Sequence, residues 1–259
     1  MHEHPQRPVS DGILHCVISD PDRAHSLSRE HIEDATRKLR DHTGANGPIR
    51  AVVVTGAQGT FCNGGDVKAF ADADAPGLFV RDLADCFHDF ISALTTAPVP
   101  VVAAVEGWAA GAGMSIACAS DIIIGGPSTR FVTAYAGIGF SPDGGMSWSL
   151  PRLVGLPRAL DLLLTNTPID GARAYEIGLL SRLVDDDQVV DTAWAIARKL
   201  STGSAPAAAA TKQLARGGQN AGLRDQLERE AESIAHLAAS PDGREGVSAF
   251  LRQVRPRFA

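Results

Sequence analysis

Two short stretches of this 259-residue chain hold more glycine than a helix or strand needs: Phe61-Cys62-Asn63-Gly64-Gly65-Asp66 and Gly107-Trp108-Ala109-Ala110-Gly111-Ala112-Gly113. Each follows an apolar run and leads toward a helical segment. A helix N-terminus carries unsatisfied N–H groups and positive partial charge, and glycine lets a ligand come close to the backbone. Two such turns brought together could bind a developing oxyanion. Either one alone could equally be a tight turn and nothing more. A dinucleotide site competes, because Gly111-Ala112-Gly113 follows a strand-like run. The third glycine of G-x-G-x-x-G is replaced by Ile116, however, and no GxxxxGK[ST] phosphate loop occurs.

Three acids stand close to these turns in the sequence or in a turn of their own. Asp66 follows Gly65 and reads either as a cap on exposed helix amides or as an acid. Glu106, just before Gly107, reads as a turn residue or a spare acid. Asp143 lies in Ser141-Pro142-Asp143-Gly144-Gly145, an ordinary turn sequence by composition. Trp108 could wall a pocket or simply pack. His2 and His4 bracket an acid in a polar, proline-containing tail, which reads as a disordered terminus in preference to a metal site. Cys16, Cys62, Cys86 and Cys118 are scattered, with no CxxC pair or neighbouring His at ligand spacing, and read as reduced core residues.

The elements that position these groups follow from periodicity. Ile13 to Ile18 reads as a strand ended by Asp20-Pro21-Asp22. A helix then begins near Ser28, buries Ile32, Ala35 and Leu39, and ends before Gly44. Ile49 to Thr55 and Val99 to Val105 are almost wholly apolar, as strands covered on both faces should be. Phe79, Leu83, Phe87, Phe90 and Leu94 recur at helical steps and predict a core-facing helix. Ile122 to Ile124 supplies another strand. Alternating strands and helices through about residue 200 imply an α/β core. Residues 201–259 then read as a helical region, with helices near 206–216, 223–239 and 242–253, packed on the core or on a second subunit.

Composition narrows the function classes. The formal charge of −6 is spread along the chain, without the basic, aromatic-interleaved run of a nucleic-acid groove. No apolar stretch is long enough to span a bilayer, and the N-terminus lacks the regions of a signal peptide. The expectation is a soluble, cytoplasmic protein with neither nucleic acid nor membrane as partner.

The runs AVVVTGAQGTFCNGGDVKAF (51–70) and PVPVVAAVEGWAAGAGMSIACASDIIIG (98–125) resemble the two oxyanion-hole segments of the enoyl-CoA hydratase/isomerase (crotonase) family. The similarity continues through FVTAYAGIGFSPDGGMSWSLPRLVG (131–155), TNTPIDGARAYEIGLLSRLVD (165–185) and the tail EGVSAFLRQVRPRF, and so covers nearly the whole chain. The resemblance implies a spiral of ββα turns with a helical C-terminal region, assembled as a trimer or a dimer of trimers. It implies an acyl-CoA thioester substrate and no separate cofactor, coenzyme A being part of the substrate. Carried over residue by residue, it puts the two oxyanion donors on the N–H groups of Gly65 and Ala112. Asn63 and Gly64 would line the thioester beside Asp66, and the Asp22-Arg23-Ala24 turn would contact the CoA portion.

The two positions where family hydratases carry glutamates hold Ser115 and Tyr135. Neither is a good base near pH 7 at an ordinary pKa, which demotes two-carboxylate hydration. Asp143 matches a third position where certain isomerases and dehalogenating relatives carry a working aspartate. The resemblance therefore implies a double-bond isomerase with Asp143 as proton shuttle, a role of general acid–base type typically worth ~10²- to 10⁴-fold in rate. Each oxyanion donor would add ~2.7–4 kcal/mol of transition-state stabilisation. Tyr135 would bond the substrate or Asp143, or sit as a core tyrosine. The rivals are a hydratase or hydratase-lyase with an unusual base set, such as Asp143 with Tyr135 or Glu106, and a non-catalytic acyl-CoA-binding protein. A Rossmann-type oxidoreductase is a distant third.

Overall fold

A computed structural model describes residues 9–43 and 47–258 of the chain. His2, His4 and Gly44 lie outside the described residues.

The strands are β1 (Val9–Ser10), β2 (Ile13–Val17), β3 (Ser19–Asp20), β4 (Ser26–Leu27), β5 (Ala51–Thr55), β6 (Val101–Val105), β7 (Trp108–Ala110), β8 (Ile122–Gly125), β9 (Arg130–Val132), β10 (Ile169–Asp170) and β11 (Arg182–Leu183). The helices are α1 (Arg29–His42), α2 (Val67–Asp72), α3 (Pro76–Thr96), α4 (Ala112–Ala119), α5 (Met146–Val154), α6 (Leu156–Thr165), α7 (Gly171–Glu176) and α8 (Val189–Ser201). The C-terminal ones are α9 (Ala205–Gly218), α10 (Leu223–Ala238) and α11 (Pro241–Leu251).

The main sheet runs β1-β2-β5-β6-β8-β11, parallel throughout except for the antiparallel β1–β2 edge pair. A second sheet, β10-β9-β7, lies beside it, with β7 and β9 parallel. The chain order β6, β7, α4 and then β8, β9, α5 places one strand in each sheet before each of these two helices. That is the ββα turn of the expected spiral.

Period-two alternation explains why the central strands are apolar throughout. Val52 and Val54 of β5, with Val101 and Ala103 of β6, face one core with Ile32 and Leu39 of α1, Phe87 and Phe90 of α3, and Ile116 of α4. Ala51 and Val53, with Val102 and Ala104, face a second core against Val189, Ala193 and Ile196 of α8. Each fully buried Val contributes about 1.5–3 kcal/mol relative to exposure, so a polar residue on either face would be costly.

The phenylalanine pattern needs one correction. Phe87, Phe90 and Leu94 are buried, but Phe79 is 41% exposed. At about 1.5 Å per residue, the 21-residue α3 far outlasts the five-residue strands beneath it, so its first turns project past the core. There Phe79 meets Phe70 edge-on, with ring centroids 6.2 Å apart. The cysteines also divide: Cys16, Cys62 and Cys118 are buried, whereas Cys86 is half-buried.

The C-terminal helices bury little within the chain. No residue of α9 or α10 is buried, and Leu227, Ile234 and Phe250 are exposed. α9 is fixed to the sheet through Asp121, which takes Lys212 Nζ and Arg216 Nη2, each at 2.8 Å, and the Val101 N–H at 2.9 Å. Among the described residues, no helix is long and apolar enough to cross a membrane.

Candidate active site

The two glycine-rich turns leave the ends of neighbouring parallel strands, β5 and β6, and are zipped together. Phe61 N–H donates to Glu106 O at 2.8 Å, Cys62 N–H to Trp108 O at 2.9 Å, and Ala110 N–H to Cys62 O at 2.8 Å. Glycine is required where the loops touch. A β-carbon on Gly113 would lie 2.4 Å from Cys62 O, and Gly64 has φ +94° with Ala110 O at 3.2 Å from its would-be β-carbon. That same point on Gly64 is 3.8 Å from Ala112 N, so the first loop lies directly against the start of α4.

Among the described residues, neither the Gly65 nor the Ala112 N–H has an acceptor within the protein. Ala112 is the first residue of α4, an eight-residue helix buried along its whole length. Its free amides and dipole lie in a water-poor setting, where they act more strongly than at a surface. Two donors without a protein acceptor thus stand on interlocked loops. The Cys62 thiol between them is pushed up to about 12 by burial and takes the Gly64 N–H on Sγ at 3.4 Å, so it is a neutral packing group and not a nucleophile.

The Arg23-Ala24 turn docks on the first loop. Asn63 donates from Nδ2 to Ala24 O at 2.8 Å and from its backbone N–H to His25 O at 2.9 Å, while Leu27 N–H reaches Gly64 O at 2.7 Å. Arg23, Ala24, Asn63 and Gly64 thus form one patch, with the Arg23 side chain exposed near Asp20. Asp66 is engaged as the N-cap of α2, accepting from Ala69 N–H at 3.1 Å. Glu106 enters the assembly through its carbonyl, and Trp108 is 42% exposed on β7.

One turn along α4 from Ala112, Ser115 meets Tyr135 and Asp143. Tyr135 Oη donates to Asp143 Oδ1 at 2.6 Å, lies 3.2 Å from Ser115 Oγ, and Ser115 Oγ donates to Asp143 O at 3.1 Å. Ser115 is fully buried in the helix whose first amide is that of Ala112. Burial, then the facing Asp143 carboxylate, push the Tyr135 phenol well above its ordinary range, so it stays protonated and acts as a donor. No hydrogen bond engages Asp143 Oδ2 among the described residues. That oxygen keeps its lone pairs free of any protein donor described.

Sequence reasoning missed one member of this group. His88, on the solvent side of α3, accepts the Gly144 N–H on Nε2 at 3.2 Å. It fell between the core phenylalanines of a helical pattern, and nothing in the spacing distinguished it from a solvated face. Also missed was the second sheet, whose three-residue strands β7 and β9 are too short to show a period. Among the described residues, no cluster of three or more His, Cys, Asp or Glu could hold a metal ion.

The model of the Enoyl-CoA hydratase/isomerase family matches residues 9–259. A Rhodobacter capsulatus protein named "Probable enoyl-CoA hydratase" is 35% identical over 96% of this chain and 95% of its own. The 1,2-epoxyphenylacetyl-CoA isomerase of Escherichia coli is 33% identical over 96% of both chains. The crystal structure of an enoyl-CoA hydratase from Polaromonas sp. JS666 superposes with a TM-score of 0.89 at 30% identity, covering 97% of this chain and 98% of its own.

Proposed function

Because the chain belongs to the enoyl-CoA hydratase/isomerase family, whose enzymes act on CoA thioesters without a separate cofactor, we propose that it is an acyl-CoA double-bond isomerase. One observation carries this reading. A single carboxylate, that of Asp143, stands in the Ser115–Tyr135–Asp143 cluster, with one oxygen held by Tyr135 and the other unengaged.

In this reading the thioester oxygen of a 3-enoyl-CoA lies between the Gly65 and Ala112 N–H groups. Asp143 Oδ2 removes a proton from C2, and the electron pair moves into a dienolate whose negative oxygen the two amides stabilise. The protonated Asp143 then returns that proton to C4, giving the conjugated 2-enoyl-CoA. Water is neither added nor lost, so one acid–base group suffices. Tyr135, held protonated, fixes the carboxylate and does not compete as a base. The patch formed by Arg23, Ala24, Asn63 and Gly64 would carry the CoA portion. An isomerase among the chain's relatives is consistent with this assignment. The exposed apolar residues of α10 and α11 support assembly as a trimer or hexamer, which sedimentation would read directly.

The test is incubation of the protein with 3-enoyl-CoA and ring-containing acyl-CoA thioesters in deuterated buffer, with products read by mass and by conjugation absorbance. A conjugated product without added water supports the isomerase, and its deuterium content reports how far the Asp143 proton exchanges with solvent before it is returned. A product heavier by one water overturns it in favour of hydration. Asp143→Asn should lose turnover while keeping thioester binding, and full turnover in that variant removes Asp143 from the chemistry.

A further inference from the structure

We propose that His88 is a positioning residue for Asp143, gripping the backbone that aims its carboxylate. The inference rests on the isomerase reading above for the role of Asp143, but not for the contact itself.

The Asp143–Gly144 peptide is held at both polar ends by side chains from two different helices. Its carbonyl accepts from Ser115 Oγ of α4 at 3.1 Å, and its N–H donates to His88 Nε2 of α3 at 3.2 Å. The segment needs such grips. Gly144 and Gly145 follow one another with φ +58° and +71°, a pair with almost no intrinsic preference to hold one conformation. Gly144 is also wedged in place: a β-carbon there would lie 2.3 Å from Phe87 Cε1 and 2.8 Å from Ser115 Cβ. Packing thus fixes where the peptide sits; its carbonyl also takes the Met146 N–H at 3.1 Å, whereas on the N–H side His88 is the acceptor that fixes how it is rotated. That peptide begins at Asp143 Cα, so a peptide that shifts carries with it the atom from which the carboxylate extends, and a held peptide keeps Oδ2 aimed.

Gly144 is buried, so without His88 its N–H would lack an acceptor in a place where water does not substitute freely. To accept, Nε2 must present a lone pair, which puts the ring proton on Nδ1. The ring lies at the edge of the open groove between α1 and α3, lined also by Arg37, Arg40 and Asp89. It therefore reaches from the surface to the active-site backbone without being a group that touches substrate.

Two variants separate this role from simple packing. His88→Gln offers Oε1 where Nε2 was, and His88→Phe keeps a ring but no acceptor. Both are assayed for isomerisation of a 3-enoyl-CoA and for α-proton exchange of a saturated acyl-CoA in deuterated buffer, with thermal melts to confirm folding. His88→Phe should lower kcat about ten- to a hundredfold with KM little changed, the scale of a misaimed reacting group. His88→Gln should recover most of that loss. Equal impairment of the two folded variants, or unchanged kcat in His88→Phe, overturns the proposal. ¹⁵N spectra of the wild-type protein without substrate give a second reading: an Nδ1–H tautomer at His88 is expected, and an Nε2–H tautomer overturns the contact. Asp143→Asn assayed alongside keeps the two ideas apart. Turnover surviving there sinks the isomerase reading, whereas the His88 contact stands or falls on the tautomer.

Discussion

Tyr135 Oη and Asp143 Oδ1 are 2.6 Å apart, and the phenol is the donor. A short charge-assisted bond of this kind leaves a carboxylate with one oxygen committed and one available, which is the arrangement a one-base proton shuttle needs. Tyr135→Phe should preserve the fold and the thioester affinity but lower kcat by about ten- to a hundredfold, the equivalent of about 1.5–3 kcal/mol for a hydrogen bond to a charged group. Steady-state kinetics decide it, and an unchanged kcat would show that the bond does not orient the base.

The same phenol should resist ionisation. Because its folded-state pKa is raised, the stabilisation from the neutral phenol is complete below the ordinary tyrosine pKa of ~10 and is lost as pH climbs past it, where the unfolded chain gains by ionising. The chain has two tyrosines. In Tyr175→Phe only Tyr135 remains, and no phenolate absorbance should appear while the circular dichroism is native. Phenolate rising near pH ~10 in folded protein would contradict the burial of this group.

Closeness of the two glycine-rich loops can be probed at Gly113. A methyl group there meets Cys62 O at 2.4 Å and Cys62 Cβ at 2.7 Å, so Gly113→Ala must push the loops apart. The expected cost is about 1–3 kcal/mol of stability, with a larger proportional loss in α-proton exchange than in melting temperature. Gly77→Ala, in α3 where nothing lies within 4 Å of the added carbon, is the matched control: it should leave exchange unchanged and melting unchanged or slightly raised.

Asp121 gathers two cations and a backbone N–H at the base of the sheet. Asp121→Asn leaves Lys212 and Arg216 without their counter-ion and should lose about 3–5 kcal/mol in denaturant titration at neutral pH. Burial already holds the Lys212 pKa down, so its folded form sheds a proton more easily than the unfolded chain. For a base with a lowered folded pKa, stability rises with pH, and the deficit of the variant should shrink in alkali. A deficit that grows with pH would refute this account of the tether.

What could be read in advance depended on how local each cause was. Val52 to Val54 and Val101 to Val105 declared buried strands because both faces are covered, and the cap reading of Asp66, set beside an acid in the sequence, is the one the structure shows because that interaction spans only three residues. Gly65 and Ala112 could be placed only through resemblance, since an amide without an acceptor leaves no mark on residue type. Phe79 obeyed the helical period and still emerged from the core, because period says nothing about where the layer beneath a helix ends. The partner of Tyr135 was open between substrate and Asp143, and the fold closes it with a contact across eight residues. His88 was invisible, its only signal being a hydrogen bond to a residue 56 positions away.

In the proposed reaction the donors at Gly65 and Ala112 are peptide groups, whereas proton transfer rests on the Asp143 side chain alone. Point mutation can delete a carboxylate in a single step but can only displace an amide. Under relaxed selection, the proposed chemistry would therefore be erased long before the thioester pocket. A lineage of such proteins would drift toward silent binders that still sequester acyl-CoA, and a lost Asp143 could be regained by one codon change in a cavity that never closed.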